Sequence, residues 1–191
     1  KQYQSQALSL AKTAAETIQP EQFAQLSQEL SEDNEYYSIL YSKLHILYRG
    51  FSPHYLYTLI KTPENKLIYI VDGMDNTADD FSAIGTEDSL ENYEPELIET
   101  FNGKPTVTKI LKSEDWGELL SAYYPIKNID GTVIGVAGCD ISAGSIRQVL
   151  YTFLKTFLIF FISSLGVIVI LTVLSVKLST QRLQTIIYTI S

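Results

Sequence analysis

Apolar residues recur at helical spacing through the first fifty positions, alternate through the middle of the chain, and run without interruption near its end. Leu8, Ala11, Ala15 and Ile18 share one face of a predicted helix over residues 1–19. Phe23, Leu26 and Leu30 do so over about 21–30, and Tyr36, Leu40, Leu44 and Leu47 over about 34–48. Pro20 ends or kinks the first helix, and Asp33 or Ser31 is expected to cap the third. The first helix is too polar to cross a membrane, and its thin apolar face suits pairing with another helix.

After Gly50 and Pro53 the period drops to two. His54–Ile60 and Lys66–Val71 predict a hairpin turned by Thr62-Pro-Glu-Asn65. Asp72–Glu87 predicts a loop, and Pro95–Phe101 a short helix with Asn92 or Tyr93 near its start and Gly103 beyond its end. Residues 106–111, 118–126 and 132–139 predict three more strands, the last two joined by an Asp130-Gly131 turn. The expected fold class is therefore α+β: a long N-terminal helix, an antiparallel sheet of about five strands, then a C-terminal helix from Ser142 onward.

That last helix contains Thr156–Val176, twenty-one residues without a charge, bracketed by Lys155 and Lys177. At ~1.5 Å per residue it reaches roughly 32 Å, the hydrocarbon thickness of a bilayer. Soluble core helices are rarely apolar on every face for so long. A cleaved signal peptide is excluded by position and length. The stretch predicts a transmembrane helix in contact with membrane lipid. The chain accordingly divides into an N-terminal helical region (1–49), one module (50–147), a connector and span (148–177), and the start of a helical linker (178–191).

Charge is uneven. Residues 1–155 carry 12 Lys and Arg against 22 Asp and Glu, whereas residues 156–191 carry only Lys177 and Arg182. This fits the positive-inside rule with residues 1–155 outside the cytoplasm of a membrane-anchored protein, and an acidic domain with no basic cluster argues against nucleic acid as a partner. The chain does not begin with Met, and its pattern is open at Ser191, so a piece of a longer protein is expected. Cys139 is the only cysteine, which excludes an internal disulfide and a cysteine metal cluster.

Catalytic signatures are missing: His45 and His54 lack metal-ligand spacing, and no nucleophile, phosphate-loop or dinucleotide motif occurs. The loop with Asp72, Asp75, Asp79 and Asp80 lacks the spacing of a calcium loop. No enzyme activity, metal or cofactor is expected. Binding has better candidates among the 13 tyrosines, with Tyr55, Tyr57, Tyr69, Tyr123 and Tyr124 on predicted strands, because such side chains bury area and still offer a hydrogen bond. Asp140 ends the apolar run VIGVAGCD on the face of Ile134, Val136 and Gly138. It either receives a ligand ammonium group or caps the following helix. Asp72 ends the Leu67–Val71 strand and opens a loop, which predicts exposure to solvent. Trp116 is either a pocket lid or a packed loop anchor.

The segment WGELLSAYYPIKNIDGTVIGVAGCDIS combines a Tyr-Pro strand, an Asn-Ile-Asp-Gly turn and a Gly-x-x-Gly-x-Asp-Ile ending. Together with the long N-terminal helix, the strands YLYTLIKT and KLIYIVDG, and direct passage into a span, it resembles the extracytoplasmic Cache (PAS-like) sensor domains of bacterial and archaeal receptors, over roughly residues 1–177. The resemblance implies a PAS-like sheet with helices on one side and a small-molecule pocket between sheet and loops. It also implies signalling across the membrane, with ligand-driven movement of the last strand passed to the span. Amino-acid-sensing members hold the ligand carboxylate with an Arg-x-Trp-Tyr-type segment and the amine with aromatics and an aspartate. Asp140 matches that aspartate's place, and Tyr123 or Tyr124 falls on a pocket strand. The Arg-x-Trp-Tyr segment is missing, and the only arginines are Arg49, Arg147 and Arg182. A small-molecule ligand bearing an amine is the expectation; a ligand carboxylate would need lysine, tyrosine hydroxyls or backbone N–H groups. A homodimer is expected through residues 1–19 and a stripe of Ser164, Thr172 and Ser175 in the span. The alternative is a domain that dimerises or binds a partner protein without sensing.

Overall fold

The computed structural model describes residues 2–113 and 117–190. Three helices lead, α1 (Gln2–Glu16), α2 (Pro20–Glu29) and α3 (Glu35–Phe51). A hairpin follows, β1 (Tyr55–Lys61) and β2 (Lys66–Asp72), then a short strand β3 (Glu87–Ser89) and a short helix α4 (Pro95–Phe101). Three long strands, β4 (Thr106–Ser113), β5 (Gly117–Lys127) and β6 (Val133–Ser142), complete the sheet before α5 (Ala143–Ile190). The strands form one antiparallel sheet in the order β3-β2-β1-β6-β5-β4. The sheet has six strands rather than about five. The sixth, β3, is the polar tripeptide Glu-Asp-Ser at the edge beside Lys66–Ile68, with nothing apolar to mark it as a strand.

Local chemistry sets the element ends. Pro20 occupies the first turn of α2 instead of only ending α1; its fixed φ and missing N–H are tolerated there. Asn34, rather than Asp33 or Ser31, caps α3, its side-chain oxygen accepting from the Tyr36 N–H at 2.8 Å. Glu94, one residue beyond Tyr93, stands at the start of α4.

The two faces of the sheet bury different chemistry. On one face Leu56, Leu120, Ala122, Ala137 and Cys139 pack under the leading helices, against Ala7, Ala11, Ala14, Phe23, Leu40 and Leu44. The row of alanines lets α1 lie close over β5 and β6. The apolar stripe of α1 packs on the sheet of its own chain. On the other face Tyr57, Leu59, Leu67, Tyr69, Tyr123 and Val136 form a second cluster with Leu97 of α4. Ile134 departs from the expected face: it lies in the β-bulge opposite Ile126 and Lys127 and packs with the helix-side cluster.

The chain parts into two compact units, Lys1–Ser145 and Ile146–Ser191. Within α5, Leu150–Lys177 is long and apolar enough to cross a membrane, which contains the predicted 156–176 stretch. The Thr156 and Thr172 hydroxyls donate to the carbonyls of Thr152 and Ile168 of the same helix. Thr172 is therefore satisfied without a partner helix.

Gly135 faces α2, where an added Cβ would stand 2.8 Å from Phe23 Cε1 and 2.9 Å from the Leu59 carbonyl oxygen. Overpacking of this kind costs about 1–3 kcal/mol, so Gly135→Ala is expected to lower the Tm by several degrees. A Tm equal to that of the parent protein would show that the sheet and α2 yield there freely.

Candidate functional site

Register builds the site. One row of direct cross-strand partners runs Asp72–Tyr57–Gly138–Tyr123 over β2, β1, β6 and β5, and the adjacent row runs Tyr55–Asp140–Ser121. Both rows face away from the leading helices. Gly138 stands at the centre because no side chain fits: a Cβ there would lie 2.4 Å from Tyr57 Cε2. The Tyr57 ring lies over the bare backbone and its hydroxyl reaches Asp140, the diagonal neighbour two residues along β6.

Tyr69 and Asp72 are three residues apart, so strict alternation would send them to opposite faces. A β-bulge between Thr58 and Leu59 shifts the register and turns both toward the same side. Thr58 repairs the ladder at this point, its hydroxyl accepting from the Val71 N–H at 3.0 Å and donating to the Val71 carbonyl at 3.3 Å. The predicted exposure of Asp72 is thereby corrected. The residue is 3% exposed, with Oδ1 accepting from the Met74 N–H at 2.9 Å and Oδ2 from the Ser82 N–H at 3.0 Å.

These rows floor a cavity of about 160 Å³. An engineered cavity of about 150 Å³ accepts benzene, so the size class is a small metabolite. Tyrosines wall it: the Tyr57 and Tyr69 rings lie 5.5 Å apart, and the Tyr69 and Tyr93 hydroxyls pair at 2.7 Å. Tyr55 donates to Asp80 Oδ2 at 3.0 Å and Tyr123 to Glu94 Oε2 at 3.4 Å. Burial raises Tyr57, Tyr69, Tyr93 and Tyr123 above the usual phenol range, which keeps them as donors. Four carboxylates line the cavity, Asp72, Asp80, Glu94 and Asp140, against one basic residue among those described, Lys112.

Asp140 lines the cavity and is 5% exposed. Ser121 and Tyr57 hydrogen-bond to its carboxyl group, yet Oδ1 has no partner, the one such buried side-chain nitrogen or oxygen among the described residues. Burial pushes its pKa up to about 7, with the charges of Glu94 and Asp72 adding to the rise against the two hydrogen bonds. Burial likewise raises Asp72 to about 6. Asp140 sits inside β6 rather than at a helix start; the Gly144 N–H donates instead to Ser142 Oγ at 3.2 Å.

Of the binding candidates singled out in the sequence, Tyr55, Tyr57, Tyr69, Asp72, Tyr123 and Asp140 meet in this cavity. Tyr124 does not, because it alternates with Tyr123 and packs with the helix-side cluster. Trp116 lies outside the described residues. Ser121 escaped the sequence reading although its parity with Tyr123 puts it on the cavity face. Asp80, Tyr93 and Glu94 arrive on connections whose course no periodicity reveals.

Among solved structures, the sensory domain of the Campylobacter jejuni chemoreceptor Tlp3 (CcmL) is similar at a TM-score of 0.54 and 14% identity, over 77% of this chain and 56% of that one. The Escherichia coli DcuS sensor domain is similar at 0.51 and 16%, over 76% of this chain and 92% of that one. The fold is that of these sensory domains, the PAS-like sheet with helices on one side that the sequence resemblance implied. The Tlp3 ligand-binding domain in complex with L-valine aligns at 0.52 and 15%, over 77% of this chain and 55% of that one. The chain thus spans little more than half the length of the Tlp3 domain. No protein-family model matches the sequence, and no curated protein does. The cavity lies on the loop side because the leading helices fill the opposite face.

The raised carboxyls fix the sign of a pH response. A carboxyl whose folded pKa exceeds its unfolded value near 3.8 stabilises the fold below that value, and the contribution is lost as pH rises through the folded pKa. The Asp140 contribution should fade between about pH 4 and 7 and that of Asp72 between about pH 4 and 6. The ligand-free protein is expected to melt higher at the acid end of this window than above it, and Asp140→Asn to flatten the slope. Parallel slopes for the two proteins would refute the assignment to Asp140.

Proposed function

We propose that this chain senses a small molecule carrying an ammonium group and passes the signal to its membrane helix. The observation that carries this reading is the unpartnered Oδ1 of Asp140 in a cavity with room for a ligand. A buried carboxylate oxygen without a donor costs about 1–3 kcal/mol or more. An ammonium group would supply the donor and the opposite charge, and the tyrosine faces around it suit a cation. The L-valine in the Tlp3 complex makes an amine-bearing ligand reasonable for this cavity. A purely structural domain would be expected to fill the space with its own tyrosines, which favours sensing over the partner-binding alternative.

Coupling follows from chain order. Asp140 lies in β6 and α5 begins at Ala143, so a ligand seated on Asp140 acts on the last strand before the helix. The ligand drives a signal only if two states of β6 differ in affinity for it. We place residues 1–155 outside the cytoplasm, with two copies of the chain working together.

The test is a melting screen of the full chain in nanodiscs against amines, carboxylates and sugars. A ligand at a hundredfold its Kd adds about 2.7 kcal/mol, several degrees in a protein of this size. At least one amine is expected to raise the Tm, and Asp140→Asn to remove that rise. Amines without effect, or a rise that survives Asp140→Asn, would sink the reading.

A further inference from the structure

The charge in the cavity exceeds what one ammonium group needs. Glu94 and Asp140 both act on Tyr123: Glu94 accepts its hydroxyl at 3.4 Å, and both carboxylates oppose loss of its proton. Glu94 also acts on Asp140 across the same cavity. Asp80 and Asp72 add to the negative lining, and Lys112 is the single basic residue opposing them among those described. A zwitterion would bring a fifth carboxylate into this field. The carboxylates are spread, not gathered: among the described residues no three His, Cys, Asp or Glu come together as a metal-holding group. Two positive charges held apart fit such a lining better than a point charge of two.

We infer that the ligand of this cavity is a short alkyl diamine, with one ammonium group on Asp140 and the other on Glu94. The inference rests on the reading of the cavity as an amine site and deepens it. The tyrosine walls supply the apolar contact for the methylene chain, and the buried end of the cavity is the one with the unfilled acceptor, Asp140 Oδ1. Glu94 is half-buried just ahead of α4, so the second ammonium group sits nearer the mouth. A ligand that joins β6 to the connection before α4 bridges two elements that are far apart in sequence.

The experiment is calorimetric titration of the full chain in nanodiscs with diaminobutane, diaminopentane, butylamine, L-alanine and calcium chloride. A diamine is expected to bind at least ~10-fold more tightly than butylamine, a difference of one decade in Kd. Glu94→Gln retains an acceptor for Tyr123 and should bring the diamine to within a few-fold of butylamine, leaving butylamine itself nearly unchanged. Asp140→Asn should weaken both amines. Butylamine or L-alanine binding as tightly as the diamines, or Glu94→Gln weakening all amines equally, would overturn the two-cation inference while leaving the amine site standing. Calcium competing with the diamines at the same residues would replace it with an ion site. If no amine binds at all, the amine site itself fails, and this inference with it. The ligand series on the unaltered chain decides the matter even where a variant folds poorly.

Discussion

Strand β6 lies in the middle of the sheet with both faces covered, so its two-residue alternation governs everything around it. Val136, Gly138 and Asp140 look to the cavity side, Ala137 and Cys139 to the helices. A slip of one residue would drive a carboxylate into the alanine-lined seam beneath α1 and a thiol into the cavity. Strong pairing on both sides, nine partners with β5 and five with β1, prevents it. The bare backbone at Gly138 is part of the same constraint, because it admits the Tyr57 ring that reaches Asp140.

Against that firm frame stands a group that local rules disfavour. A carboxyl group almost wholly removed from water, facing other carboxylates, with one oxygen unsatisfied, destabilises the ligand-free fold. Among the described residues Asp140 Oδ1 is the one buried side-chain nitrogen or oxygen left without a partner, which makes the exception informative. Asp72 shows the contrast. Its surroundings are no drier, but two backbone N–H groups occupy both of its oxygens, and it holds the loop after β2 rather than awaiting a partner.

The sequence carried most of the frame. Helical and alternating periods located α1 to α4 and five strands to within a few residues. The face of Asp140 was also legible, because Val136 and Gly138 share its parity. Four things were not. Glu-Asp-Ser of β3 pairs through backbone alone, so side-chain pattern is silent. The bulge at Thr58 shifts the parity of β2, and Asp72, which looked exposed because it opens a loop, is buried and held by the Met74 and Ser82 N–H groups. Tyr123 and Tyr124 are equivalent as composition, and only their register against Gly138 and Ala137 separates a cavity wall from a core residue. The rim groups Asp80 and Glu94 belong to connections, where position follows from the closed fold rather than from neighbours in the chain.

The two sides of the sheet differ in how they tolerate change. Beneath α1, alanines and Phe23 leave no slack, and a substitution there must be answered by another across the seam. On the cavity side the floor belongs to the sheet, while much of the rim charge comes from connections that bear little of the core. Under the proposed amine reading, descendants of this chain acquire a different chemical preference by exchanging Asp80 or Glu94, with the frame and the strand leading to α5 left as they are. Selectivity and architecture are inherited separately.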